Sequence, residues 1–437
     1  MSQSYDFLVG TFNTPQLYTL RFTPPTPESS TKSSSSGSGS NSGNLRILHR
    51  TAAIGSHSWL HLSPPKTNGT RNLYATAWTE PPSVVAYAVD SSTKIKLLSR
   101  AQTKARSGYV TANDVAVYSA GGATGEVFSI DRDSGTFVAP QTKSASEASP
   151  PRLTNGTTAG SHHTAGQSSS QPSSPNQLLQ TLSFVDSSAQ RDNGSVMDFG
   201  GLRHGAHSAD LSPSGNTLYI ADIGRNCIWT FAVSPTDGSV TLGEKHISPR
   251  PNDGPRHVWP HPAGGYVYCV QEHTSMVDVF STNHDGVSLT HKQGVRIIPP
   301  DQHEQDFWAD EVRTSLSRAD RPQYLYASTR GLKPGKKGYV AVYKLTDDGR
   351  IDTSVSGPKS EPADLYAGLL YMYETPNSGG WANAIQPGPT VQGVEYLALT
   401  DSEDGWVFVL SWNGAEIKEV ARTKLDPGAG AATAVWL

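Results

Sequence analysis

Three segments of the chain repeat one another. "HSADLSPSGNTLYIADIGRNCIWTFAV" from His207, "RHVWPHPAGGYVYCVQEHTSMVDVF" from Arg256 and "WANAIQPGPTVQGVEYLALTDSEDGWVFVL" from Trp381 share one order. Each reads as a strand, a turn with proline, a strand with Leu/Tyr pairs, a polar link and a third strand. Weaker copies begin at Ser58, Ala112 and Asp310, which makes six units. Short apolar runs recurring in this way argue for a repeat architecture. The chain opens with two unmatched strands, "DFLVGTF" and "QLYTLRF", and ends with "AATAVWL" after "EIKEVARTKL". Joined across the termini, these pieces complete a seventh unit and remove the open sheet edges. The expected fold is therefore all-β, a seven-bladed β-propeller over residues 1–437 as one domain, closed by its N- and C-terminal strands. Alternation in "SMVDVF" and "YVAVYKL" fits half-buried strands, and no segment sustains a long helical period.

Two spans break the pattern. Ser29 to Gly43 and about Thr142 to Gln177 hold too few apolar residues to pack, so they are expected to be surface loops without a catalytic role.

Charge and composition narrow the partners. A net charge of −4 leaves no basic footprint for nucleic acid, and an anionic ligand would need local arginines. No apolar run approaches the roughly 20 residues that span a bilayer, and "MSQSYDFLVGTF" lacks a signal-peptide pattern, so a soluble, cytoplasmic protein without membrane contact is expected. Self-association is left open. Cys227 and Cys269 fall inside predicted strands and read as buried free thiols. His204 with His207, and His257 with His261, lack the helical context of a metal motif, so no metal is expected.

The repeat register brings charged residues together. Six residues before the turn proline, Pro213 gives His207, Pro262 gives Arg256, Pro387 gives Trp381 and Pro64 gives Ser58, all at the start of a first strand. Four residues beyond the second-strand aromatic or leucine, Tyr268 gives Glu272, Tyr326 gives Arg330, Leu397 gives Asp401, Tyr219 gives Ile223 and Tyr74 gives Trp78. In an antiparallel hairpin the start of one strand lies beside the end of the next. His207, Arg256, Glu272 and Arg330 are thus expected at one mouth of the central channel. Two guanidiniums suit carboxylate recognition, and a histidine with a glutamate can exchange protons near neutral pH. The plainer alternative is that Arg256 and Glu272 form only an ion pair at the rim, worth about 0–1 kcal/mol if exposed.

At these residues the sequence resembles the lactonase-type seven-bladed propellers, in particular the fungal carboxy-cis,cis-muconate cyclases. "HSADLSPSGNTLYIAD", "GPRHVWPHP", "VYCVQE" and "LYASTRG" are also similar to bacterial-type 6-phosphogluconolactonases, whereas "SGGWANAI", "LALTDSEDGW" and "AATAVWL" lean toward the cyclases. The resemblance implies an active site of His207, Arg256, Glu272 and Arg330, with Trp381, Asn383, Trp78 and Asn113 among the substrate-binding positions. Trp381 stands where the cyclase pattern has a histidine, and Trp78 lies near the place of a lysine, departures that point either to altered substrate choice or to a paralogue that no longer performs the cyclase reaction.

The implied reaction lactonizes 3-carboxy-cis,cis-muconate, in aromatic-compound catabolism, without a cofactor. One carboxylate adds to the far carbon of a conjugated double bond, and the adjacent carbon takes a proton. The implied partner is a small-molecule carboxylate, held by Arg256 and Arg330, while Glu272 and His207 move the proton. A sugar-lactone hydrolase using the same residues is the first rival. A non-enzymatic interaction scaffold is the second, although the chain lacks the WD-type repeat signature.

Overall fold

Burial falls off outward along each repeat. In the computed structural model, the second strand of a unit, such as Thr217–Asp222, is buried throughout, whereas the last strand, such as Val240–Ile247, is exposed or only partly covered beyond Val240. The structure describes residues 3–26, 42–140, 177–184, 205–318, 320–355, 358 and 363–437. These residues form seven four-stranded antiparallel sheets. A typical blade runs Ala206–Leu211, Thr217–Asp222, Cys227–Val233 and Val240–Ile247 in spatial as in chain order.

The seventh sheet joins the chain ends. Ala431–Trp436 pairs with Tyr5–Thr11, placing Phe7 opposite Trp436 and Val9 opposite Ala434. Gln16–Thr23 and Asn44–Ala52 complete that blade. The closure expected from the unmatched strands is the one found. Phe7, Val9 and Tyr18 pack with Tyr396, Ala398 and Val409 of the preceding blade, so the ring is sealed by apolar contact as well as by the ladder.

Each blade has four strands where the repeat suggested three. The outermost strands, including "KIKLLSRAQ" and "LTHKQGVR", are largely polar because they face solvent, so they carry little apolar signal. Their lysines and arginines also discourage edge-to-edge association. The two polar spans predicted as loops lie almost entirely outside the described residues, as does His204.

A repeated tyrosine ties neighbouring blades together. The hydroxyls of Tyr74, Tyr118, Tyr219 and Tyr268 donate to the carbonyls of Gly135, Gly238, Gly286 and Gly349, at 3.2, 3.0, 2.7 and 2.6 Å. Each glycine closes a turn in the next blade with φ between 74° and 98°, a conformation open to glycine at little cost. A buried phenol is thereby satisfied at each of these four steps. Cys227 and Cys269 are buried and form no disulfide, and no helix among the described residues is long and apolar enough to cross a membrane.

Candidate active site

Three consecutive blades carry the same irregularity at the inner end of the first strand. The ladder skips one residue between Ala206 and Ser208, between Pro255 and His257, and between Ala309 and Glu311. The skipped residues are His207, Arg256 and Asp310. A bulge leaves its extra residue outside the pairing and turns the side chain away from the sheet faces. All three line a cavity of about 830 Å³ at one mouth of the channel. Ser58, Gly108, Ala384 and Ala432 line it from the other four blades, and Phe12, Tyr109, Trp78, Trp308, Arg330 and Trp381 add to the wall.

The charged groups form one network. Arg256 pairs through Nη1 with Oε2 of Glu272, and through Nη2 with Oδ1 of Asp310 at 3.2 Å. Arg330 reaches the same Asp310 oxygen at 3.2 Å and lies over the Trp308 ring at 4.9 Å. The other Asp310 oxygen accepts the backbone N–H of Asn383 at 3.1 Å.

Burial would raise the Glu272 carboxyl, but Arg256 and Arg330 overcome it and hold the group below its ordinary range. For Asp310 burial prevails over the same two arginines, helped by the charge of Glu272, and the carboxyl is pushed up. The two acids thus divide. Glu272 is the firm counter-ion, and Asp310 is the one whose charge is costly to keep.

Deeper in the channel a second cluster separates this cavity from one of about 490 Å³ at the opposite mouth. His257 lies between Asp210, 3.2 Å from Nε2, and Glu311, 2.7 Å from Nδ1. Burial lowers the imidazole pKa, yet Glu311 and Asp210 outweigh it and raise the group. Arg313 binds Glu311 at 3.0 Å and stacks on Trp259 and Trp59. The Tyr109 ring stacks on His257 and lies 5.0 Å from the ring of His207.

The structure brings His207, Arg256, Glu272 and Arg330 to the expected end of the ring, with one change of position. Glu272 is 0% exposed and does not line the cavity; Arg256 covers it. The pair is therefore a buried one, and the exposed-rim alternative does not apply.

Trp78 lines the cavity and donates from Nε1 to the Ser107 carbonyl at 2.9 Å. Trp381 also lines it, but not at the strand position assigned from Pro387. That proline lies within the strand Ile385–Val391, opposite Leu397, because the turn comes later, at Gly393. The equivalent residue is Ala384, and Trp381 belongs to the preceding loop, 73% exposed at the mouth.

Two asparagines fall elsewhere. Asn113 occupies the turn at the far end of its strand, where Oδ1 accepts the N–H groups of Val115 and Ala116 and Nδ2 donates to Tyr118. Asn383 is 1% exposed, and its amide donates to the Thr329 carbonyl. Neither lines the cavity; both are occupied in holding backbone.

Asp310 was missed by counting from prolines because its unit has Leu316 where the Ser58, His207 and Arg256 units have proline. The signal was present in the tyrosine register. Asp310 precedes Arg313, opposite Tyr326, by the same three residues that separate Arg256 from Trp259, opposite Tyr268.

Comparison with known proteins bears on the family and the fold. The family model described as lactonase, seven-bladed β-propeller, matches residues 186–358. Muconate cycloisomerase 1 of Cutaneotrichosporon cutaneum is 34% identical over 443 residues, covering 99% of this chain and 98% of that protein. Carboxy-cis,cis-muconate cyclase of Neurospora crassa is 31% identical over 242 residues, 53% of this chain and 60% of that protein. Among solved structures, a putative 6-phosphogluconolactonase of Bacteroides uniformis superposes with a TM-score of 0.66 at 16% identity, covering 99% of each chain, which shows the shared fold. The chain belongs to the family of lactonase-type seven-bladed propellers that includes muconate cycloisomerase 1.

Proposed function

We propose that this protein is a cycloisomerase that closes a lactone ring on 3-carboxy-cis,cis-muconate at the Arg256 and Arg330 cavity. Full-length kinship to muconate cycloisomerase 1 supports the reaction class. The observation that carries the site is that two guanidiniums from adjacent blades converge on a single carboxylate oxygen in the cavity wall. A fork that holds one carboxylate can hold another in the same geometry.

The chemistry divides among the cavity groups. Arg256 and Arg330 bind substrate carboxylates and bend the diene so that a carboxylate oxygen meets the far carbon of the double bond, an entropic contribution to rate. The C–O bond forms, the alkene electron pair moves toward the neighbouring carboxylate-bearing carbon, and the guanidiniums stabilise that enolate-like charge. His207, partly exposed in the cavity, delivers the proton to the adjacent carbon. Glu272, sealed behind Arg256, fixes the guanidinium and does not meet substrate. Trp78, Trp308 and Trp381 supply flat apolar walls for the conjugated chain.

Loss of the ultraviolet absorbance of the diene on mixing with 3-carboxymuconate tests this reading. Acid release from a sugar lactone with an unchanged diene spectrum would assign the site to hydrolysis, and inertness toward both would leave a scaffold.

A further inference from the structure

Lactonization consumes a proton. A carboxylate loses its charge by forming the C–O bond, and the adjacent carbon gains one hydrogen from the medium. The occupied cavity must therefore contain a proton that the free carboxylates do not bring.

The resting network accounts for where it is held. Arg256, Arg330, Glu272 and Asp310 carry two positive and two negative formal charges, a neutral set closed by ion pairs. An arriving substrate carboxylate competes for the guanidinium N–H groups that Asp310 occupies, and it adds negative charge to a buried site. Glu272 cannot yield, because Arg256 covers it away from the cavity. Asp310 can, because it lines the cavity and shares one oxygen between both arginines.

Building on the function above, we propose that Asp310 is a further catalytic residue: it takes up a proton as the substrate carboxylate displaces it from Arg256 and Arg330, and that proton is the one the reaction consumes. His207 protonates carbon and is recharged from Asp310. The aspartate, anionic again, reclaims the guanidiniums and helps expel the lactone. The charged groups acting on Asp310 are Arg256 on Pro255–Pro260, Arg330 on Tyr324–Gly331 and Glu272 beyond Tyr266–Gln271; His273 lies 3.8 Å from Glu272, and Glu311 follows Asp310 on its own strand. His207 and Tyr109 line the same cavity. The upward displacement of the Asp310 carboxyl, caused first by burial, agrees with this assignment.

Calorimetric titration with trimellitate, an unreactive planar tricarboxylate, tests the proposal in buffers of different ionisation enthalpy, above the range where the ligand itself titrates. Wild type and His207→Gln are expected to take up about one proton per bound ligand. Asp310→Asn is expected to take up none and to bind trimellitate more tightly. Infrared difference spectra of wild type give a readout independent of any folding defect in the variant, since binding should create a protonated-carboxyl C=O stretch insensitive to labelling of the ligand. Binding by wild type without proton uptake, or uptake that vanishes in His207→Gln and persists in Asp310→Asn, overturns the assignment. Absence of any trimellitate binding by wild type instead contradicts the anion cavity itself, and this inference with it.

Discussion

Arg256 lies across Glu272, pairing Nη1 with Oε2, so that the glutamate meets the cavity only through the guanidinium. The pair behaves as one unit: the carboxylate sets the direction of the arginine, and the arginine presents the charge.

Glu272→Gln keeps the size of the side chain and removes its charge, leaving Arg256 with Asp310 as its acidic partner among the described residues. Breaking a buried pair from one side costs about 3–5 kcal/mol. Denaturant unfolding is expected to show that loss, and steady-state kinetics a raised KM with the pH profile of kcat unchanged in shape. Unaltered stability with a thousandfold loss of kcat would return Glu272 to the proton-transfer role.

His207→Gln addresses the donor. The side chain stands on a bulge and is partly exposed, so its removal disturbs little packing. Turnover is expected to fall roughly 10²–10⁴-fold with an unchanged thermal melt. Wild-type turnover in this variant would exclude it.

Ring closure rests on seven residues. Deleting 431–437 removes the strand opposite Tyr5–Thr11 and takes Trp436 off Phe7, whose ring centroid lies 4.5 Å away. An exposed edge and a vacated core position together should cost several kcal/mol and lead to aggregation. Size-exclusion chromatography and a melting curve check this; a monodisperse truncation with the parent melting temperature would show that the ladder contributes nothing.

Stability should also depend on His57. Its Nδ1 is 2.6 Å from the Thr76 carbonyl and its Nε2 2.8 Å from the Tyr87 hydroxyl, and burial lowers its pKa from 6.5 to about 4. Between those values the unfolded chain binds a proton that the folded one refuses, so stability is full above about pH 6.5 and declines as pH falls toward 4. The full span corresponds to roughly 3 kcal/mol. Urea titrations at several pH values should show this slope, and His57→Gln should reduce it, leaving the part due to His61, whose pKa burial also lowers to about 4; an identical slope in the variant would assign the effect to other groups.

The repeat disclosed the ring, its closure and the end at which the charges gather, because strand and turn spacing are local properties of the chain. What it did not disclose depends on contacts between blades. Asp310 meets Arg256 and Arg330 from different strands, and Tyr109 reaches His207 across a blade boundary. Proline was a poor ruler, since Pro387 sits inside an inner edge strand, where its missing N–H costs no ladder bond. Tyrosine was the better one, because its hydroxyl bond to the next blade fixes the register. Asn113 and Asn383 share motifs with the site while their amides hold backbone.

The central claim is that the forked charge of Arg330 binds the substrate of a lactonizing reaction. Arg330→Lys keeps the charge but gives up the planar fork that now rests on Asp310 and the Trp308 ring. Steady-state turnover of 3-carboxymuconate, followed by loss of diene absorbance in parent and variant, measures it directly. The account predicts turnover by the parent and a loss in kcat/KM of at least about 100-fold in the variant, corresponding to roughly 3 kcal/mol of transition-state stabilisation. An unchanged diene with the parent protein, or equal kcat/KM in the two, would contradict it.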